Sequence, residues 1–480
     1  MGIKEILGSL GLEASGLDGK KKDSLLDRVR SGVDELLPKI QEPISILGNF
    51  LKKTTKTISK SLSTVSDALD LNLYNAVNEL RGEPQVESPN YTHEDFQALL
   101  EGESCPCAVV DMEAFDHNIE MFLKGMKATG KHLRVGTKSV RVPALIERAM
   151  KKFDFDGLFL FHPNEIKYWQ ETRGIQDFIV AYPIINIEEA ETCTRGAARD
   201  PNAKITLMID STAHLHLLEK SAAKQDVNLH VLVDLDVSID FFGQFAGVMR
   251  SPLNSPDKVV RLARKVNRFP HLSFRGIMGY EAQEAGIGDQ SLLYRFMKQQ
   301  SRGRITRRRA KTVQALEEAG LHCEIVNGGG SGCFQDTARE TFVTEVTVGS
   351  GLFKSYIFDP IESLREFMPS LFMALRIVRT PRPGVVTAYS GGYVSSAINK
   401  QPKIVFPRGC TATSREGFGE VQTPITFNPE KVFLKHGDLV ICRLAKAGEP
   451  LERFNHVVTV KGNSVLDKRL TYRGEGLWLG

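Results

Sequence analysis

No uninterrupted apolar run in the chain approaches the roughly 20 residues that a bilayer-spanning helix needs. Cysteine is scarce and irregularly placed. Of seven in the chain, Cys105-Pro106-Cys107 is the close pair, and one intervening residue is neither the usual zinc spacing nor the usual redox spacing. Reduced thiols in a cytosolic protein are the expectation. Charge of one sign is lacking as well: 62 Lys and Arg against 58 Asp and Glu leave +4. So small an excess on 480 residues gives no electrostatic footprint for a nucleic-acid partner. The N-terminus, MGIKEILGSLGLEASG, has no secretory apolar region, and Ile6 stands where a myristoylation signal would have Ser or Thr. A cytoplasmic location is therefore expected. What remains is ordinary for a soluble protein: 41% apolar, 25% charged, and long enough for two or three domains.

Residues 1–90 differ from the rest. They are rich in Ser, Thr, Lys and Leu and nearly free of aromatics. Leu25, Leu26, Val29, Val33, Leu36, Leu37 and Ile40 recur at helical spacing, as do Leu51, Ile58, Leu62, Val65 and Leu69. Lys52, Lys53, Lys56 and Lys60 fall in a stretch without acids. A helical extension is expected, packed on the body or a protein partner, with peripheral membrane contact as the alternative. RGEPQVESPN, Arg81 to Asn90, reads as a linker.

From residue 105, short apolar runs alternate with helix-like segments. The runs are Ala108–Asp111, Leu133–Lys138, Gly157–Phe161, Phe178–Tyr182, Ile205–Asp210, Leu229–Asp234, Ser273–Gly279 and Cys323–Asn327. Alternation of this kind implies parallel pairing through helical crossovers. Eight repeats over about 240 residues match a (β/α)8 barrel. After residue 355 helices thin out, and segments such as PKIVFP and KVFLKHGDLVICRL read as strands with Gly and Pro turns. The expected fold is α/β: a helical extension over 1–90, a TIM-type (β/α)8 barrel over 91–355 and an all-β domain over 356–480.

A barrel of this type carries its active site at the C-terminal ends of its strands. HLRVGTK ends there in Lys138, where burial would lower the pKa and create a nucleophilic amine. Asn327-Gly328-Gly329-Gly330-Ser331-Gly332 follows the eighth run, where barrels often bind phosphate. Consecutive glycines let backbone N–H groups converge on an anion, and Ser331 adds a hydroxyl. Tyr280, Glu281 and Gln283 project near the same mouth, while Asp111 and Asp234 either line it or cap the next helix. An amine facing an anion cradle suits a cofactor with an aldehyde and a phosphate, and pyridoxal 5′-phosphate is one. The basic stretch from Arg302 to Lys311 reads as a solvated helix face.

These motifs resemble a known group. AVVDMEAFDHNIE is similar to the opening of alanine-racemase-type, fold-type III, pyridoxal-phosphate enzymes. RVGTKSVRVPAL (Arg134 to Leu145) resembles the lysine segment of their D-threonine aldolase and D-serine dehydratase branch. NGGGSG, TEVTVGSG (Thr344 to Gly351), GIMGYEAQEAGIGD (Gly276 to Asp289), GEVQTP (Gly419 to Pro424) and KAGE (Lys446 to Glu449) are similar to amino acid deaminase/aldolase proteins. The resemblance covers about residues 95–480. It implies Lys138 as the Schiff-base lysine, Gly328, Gly329, Gly330 and Ser331 as the phosphate loop, and Tyr280 and Gln283 beside the pyridine ring. It also implies a homodimer and a small amino acid substrate. The expected activity is a lyase, a deaminase/dehydratase or aldolase, on D-3-hydroxy amino acids. An amino acid racemase, using Tyr389, Tyr393 or Cys410 as a second acid, and a cofactor-binding scaffold or homeostasis protein remain open. The branch carries a His–Cys metal pair in its C-terminal domain. Here the stretch reads Cys442-Arg443-Leu444, with Leu444 in the approximate place of histidine. That departure puts a divalent metal in question, and the expected ligand set contains none.

Overall fold

The structure, a computed structural model, describes residues 91–241, 244–289, 292–396 and 401–479. The helical extension read for residues 1–90 lies outside the described residues. The barrel and the β domain belong to one compact unit, and Asp289–Phe296 fall outside it. None of the described helices is long and apolar enough to cross a membrane.

The described chain begins with a helix, His93–Leu99, followed by β1 (Cys107–Asp111). Eight parallel strands then close into a barrel. They are β2 (His132–Gly136), β3 (Gly157–Leu160), β4 (Asp177–Val180), β5 (Lys204–Ile209) and β6 (Leu229–Asp234). A small hairpin, β7 (Ile239–Phe241) and β8 (Gln244–Ala246), precedes β9 (Leu272–Gly279), β10 (Ile325–Gly328) and β11 (Glu345–Val348). Closure comes from β11 pairing with β2, Val346 opposite Leu133.

The remaining strands are β12 (Leu371–Arg382), β13 (Val385–Tyr389), β14 (Lys403–Phe406), β15 (Thr411–Ala412), β16 (Gln422–Thr426), β17 (Leu439–Arg443), β18 (His456–Lys461) and β19 (Ser464–Leu470). Together with β1 they make a nine-stranded sheet. β1 lies between β12, antiparallel, and β18, parallel. So Ala108–Asp111, read from the sequence as the first barrel strand, belongs to the β domain. The eighth barrel strand is β11 instead.

The physical reason is visible in the burial. Cys107 and Val109 join Phe96, Leu100, Phe372 and Phe406 in a cluster beneath the helix His93–Leu99. Ala108 and Val110 face the main core. A strand buried on both faces is apolar throughout, like a barrel strand, and periodicity cannot separate the two. β11 escapes notice because EVTV carries a buried glutamate and a threonine.

That glutamate helps close one end of the barrel. Arg134 is fully buried and bonds Glu345 with two N–H groups at 2.9 and 2.8 Å, and Asp177 at 2.7 Å. Arg275 reaches Glu324 at 2.7 Å and Thr206 at 2.9 Å. These residues lie early in their strands, so the charges fill the N-terminal end. Ile179, Met208, Leu232, Met278 and Ile325 form an apolar layer above them, with Phe159 and Tyr280 packed against it. Filled in this way, the barrel is a packed core whose open chemistry lies at the C-terminal ends.

Candidate active site

β2 ends at Gly136, and a single 3-10 turn, Thr137–Ser139, carries Lys138 out over the barrel mouth. The residue is exposed, yet enough protein surrounds the amine to desolvate it in part. That crowding lowers its pKa; the Arg250, Lys446 and Arg141 charges add to the effect, and Glu449 opposes it. Two of these groups come from the β domain. Gly448 packs against the lysine turn so closely that a Cβ there would lie 2.2 Å from the Lys138 carbonyl oxygen. The KAGE motif is thereby seated over the lysine. Ser395 braces it, donating from Oγ to the Lys446 carbonyl and accepting from the Lys446 N–H at 3.1 Å.

Two glycine loops face this turn. The first, Gly328 to Gly332, follows β10; the second, Gly349-Ser350-Gly351, follows β11. By strand order these are the seventh and eighth barrel strands, the usual phosphate position of such barrels. Ser331 Oγ accepts the Gly351 N–H at 2.8 Å and ties the loops together, keeping its own proton available to donate. Ser350 donates to Ser139 at 3.0 Å, which sets the second loop beside Lys138. Side chains are excluded from the cradle: a Cβ on Gly330 would meet Ala285 at 2.8 Å, and one on Gly332 would meet the Ala285 carbonyl oxygen at 2.3 Å. The Gly329 N–H is already donated, to Glu281 at 3.0 Å. Among the described residues, no acceptor engages the N–H groups of Gly330, Ser331 and Gly332. An amine and a set of unengaged backbone N–H groups therefore stand side by side.

Beneath the first loop is a buried charge network. Glu281 bonds Gly329 N–H and Thr337 Oγ1 and pairs with Arg309 at 3.0 Å. Arg309 also pairs with Glu340 at 2.5 Å and donates to the Gly279 carbonyl at 2.9 Å. Its side chain is entirely buried. The reading of residues 302–311 as a solvated face therefore fails at Arg309. A signal was present: Ile305, Arg309, Thr312 and Leu316 share one helix face, and all four are buried.

The other residues singled out in the sequence divide. Tyr280 follows β9 and packs near Gly330, with burial pushing its phenol up to about 12. Gln283 lies on the next short helix, and its amide donates to the Val237 carbonyl at 2.9 Å. Asp234 ends β6 at the mouth, where burial pushes its carboxyl up to about 7 against the pull of Arg250. Asp111 is a helix cap away from the mouth, accepting from Glu113 and Ala114. Cys442 and Leu444 are both buried. Tyr393 stacks on Phe454 at 4.6 Å. Arg250, which approaches Tyr182 and Tyr280, had no sequence signal, being a single arginine in a loop.

The C-terminal segment clamps the lysine turn from below. The Tyr472 N–H donates to the Arg141 carbonyl at 2.9 Å. Its hydroxyl donates to Glu165 at 2.7 Å and accepts from Trp169 at 3.0 Å. Burial pushes Glu165 up to about 7, although hydrogen bonds from Tyr472, Thr137 and the His162 and Phe161 N–H groups pull it down. A carboxyl raised in the folded state stabilises the fold below the ordinary carboxyl range. That contribution is lost as pH rises through about 7. Glu165→Gln cannot ionise, so its stability is expected to fall less between pH 5 and 8, by on the order of 3 kcal/mol. Urea midpoints of the two proteins across that range check this; parallel curves would place the pH dependence elsewhere.

The family description of the alanine racemase N-terminal domain matches residues 110–356. A D-threonine aldolase from Arthrobacter sp. is 24% identical over 315 residues, 64% of this chain and 77% of that protein. A 3-hydroxy-D-aspartate aldolase from Paracoccus denitrificans (strain Pd 1222) is 23% identical over 297 residues, 60% of this chain and 71% of that one. The crystal structure of a D-threonine aldolase from Filomicrobium marinum superposes with a TM-score of 0.68 at 18% identity. The match covers 77% of this chain and 96% of that one. At that identity the structural likeness speaks for the fold.

Proposed function

Because the chain belongs to the alanine racemase N-terminal domain family, we propose that it is a pyridoxal-phosphate enzyme, a lyase acting on D-3-hydroxy amino acids. The observation that carries the reading is the placing of Lys138 beside two interlocked glycine loops. The curated relatives, aldolases of D-threonine and of 3-hydroxy-D-aspartate, suggest the substrate class.

The residues present fit this cofactor. Gly330, Ser331 and Gly332 offer N–H groups in a cradle that a Cβ would fill. The Lys138 amine, its pKa lowered by crowding, would hold the cofactor through its aldehyde. When bound, the cofactor supplies an electrophilic carbon and a ring that withdraws electrons from the substrate α-carbon. Lys138 Nζ would also take up or return the proton at the substrate α-carbon. Glu281 orients the first glycine loop through the Gly329 N–H, and Arg309 orients Glu281. Tyr280 walls the site beside Gly330. The KAGE segment packs against the lysine turn through Gly448 and fixes its backbone. The association is proposed as a homodimer in the cytoplasm.

The test is to load purified protein with the cofactor and incubate it with D-threonine, D-serine and 3-hydroxy-D-aspartate, with and without added divalent metal. Release of glycine and an aldehyde, or of a keto acid and ammonia, supports the lyase. Interconversion of alanine enantiomers with neither product would move the racemase reading to the front. Cofactor binding without turnover of any of these would favour the scaffold.

A further inference from the structure

Arg250 stands at the barrel mouth between two aromatic rings. Its guanidinium carbon lies 5.0 Å from the centre of the Tyr182 ring and 5.1 Å from that of Tyr280. Tyr182 follows β4 and Tyr280 follows β9, so the arginine bridges two walls of the barrel. Its loop is stitched down. Ser251 Oγ donates to the Asp234 carbonyl at 2.6 Å and accepts from the Leu253 N–H at 3.1 Å, and the Asp236 N–H donates to the Leu253 carbonyl at 3.0 Å. Among the described residues, the guanidinium has no ion-pair or side-chain hydrogen-bond partner.

An arginine held by aromatic rings is occupied on its faces, and its planar N–H fork is left to meet a carboxylate. Resting on the cofactor reading above, we propose that Arg250 is the receptor for the substrate carboxylate. The cofactor phosphate is the competing anion, and the strand order speaks against it. The glycine loops follow the seventh and eighth barrel strands, whereas the Arg250 loop extends from the fifth. Tyr280, on the sixth, stands between them, packing near Gly330 and contacting Arg250. Anions thus divide across Tyr280: phosphate on the glycine side, carboxylate on the arginine side. The Arg250 charge also contributes to lowering the Lys138 pKa. A carboxylate held there orients an amino acid with its amine toward Lys138.

The experiment titrates D-threonine and its carboxylate-free counterpart, 1-amino-2-propanol, into cofactor-loaded wild type, Arg250→Ala and Arg250→Lys, following the cofactor absorption band. The expectation for Arg250→Ala is an unchanged band and unchanged affinity for the amino alcohol, with affinity for D-threonine weaker on the order of 30-fold. Arg250→Lys should fall between, since it keeps the charge and loses the fork. Equal D-threonine affinity in wild type and Arg250→Ala would overturn the assignment. So would loss of the band in Arg250→Ala, which would give the arginine to the cofactor instead. A wild type that takes up no cofactor overturns the underlying reading, and this one with it.

Discussion

Replacing Lys138 by alanine is expected to remove the cofactor absorption band that borohydride fixes in the wild type, and to lower turnover by at least about a thousandfold. Among the described residues, no other lysine directly follows a barrel strand beside the glycine loops. Lys446 faces the site from the β domain, but its charge acts on Lys138 from across the mouth. Lys354 is buried and its amine is engaged, donating to the Leu364 carbonyl. The electrostatics add a pH dependence with a defined sign. The Lys138 pKa is lowered by crowding and then by Arg250 and Lys446, so its neutral, nucleophilic amine prevails at a lower pH than in a free lysine. The rate at which apoprotein attaches the cofactor should therefore rise with pH and level off below the ordinary lysine range. Lys446→Met should shift that profile upward. Lys138→Ala protein that still holds a borohydride-fixable band would show that another amine carries the cofactor.

Arg309→Met is expected to reduce stability by about 3–5 kcal/mol, because it leaves Glu281 and Glu340 buried without their counter-charge. Two acids against one base is already an unfavourable balance, and burial raises the Glu340 pKa even with Arg309 beside it. Loss of the arginine should raise the Glu340 pKa further and leave the Glu281 carboxyl without its buried counter-charge. Glu281 then no longer holds Gly329 in place, and cofactor retention should weaken in the same variant. The double variant Arg309→Met/Glu340→Gln should recover part of the stability, since one orphaned charge is gone. Urea denaturation and cofactor retention on dialysis check both effects. An Arg309→Met protein as stable as wild type would mean that the network contributes nothing net. One that is destabilised but retains cofactor normally would separate the network from the glycine loop.

The contrast between Lys138 and Arg309 marks where sequence reasoning reaches. The placing of Lys138 beside the glycine loops was legible because a strand-ending lysine is an unusual pattern and the glycine run follows a strand of the same barrel. Arg309 was hidden in a stretch of arginines, where a single buried member looks like its solvated neighbours until its helix face is traced. Arg250 left no trace, since the rings that hold it follow β4 and β9, far away in the sequence.

By itself, the amino-acid sequence determined the class of the fold and the alternation that builds a barrel, and it singled out the lysine and glycines proposed as a cofactor site. These are local properties, written in periodicity and in residue types that few other roles require. Only the tertiary structure decided which strands close the barrel, because β1 and a barrel strand bury the same apolar residues on both faces. Only it brought Gly448 against Lys138, Tyr472 under Glu165, and Arg250 between two tyrosines. Each of those contacts joins residues distant in the chain, and pairings over such separations are set by how the barrel and the β domain pack.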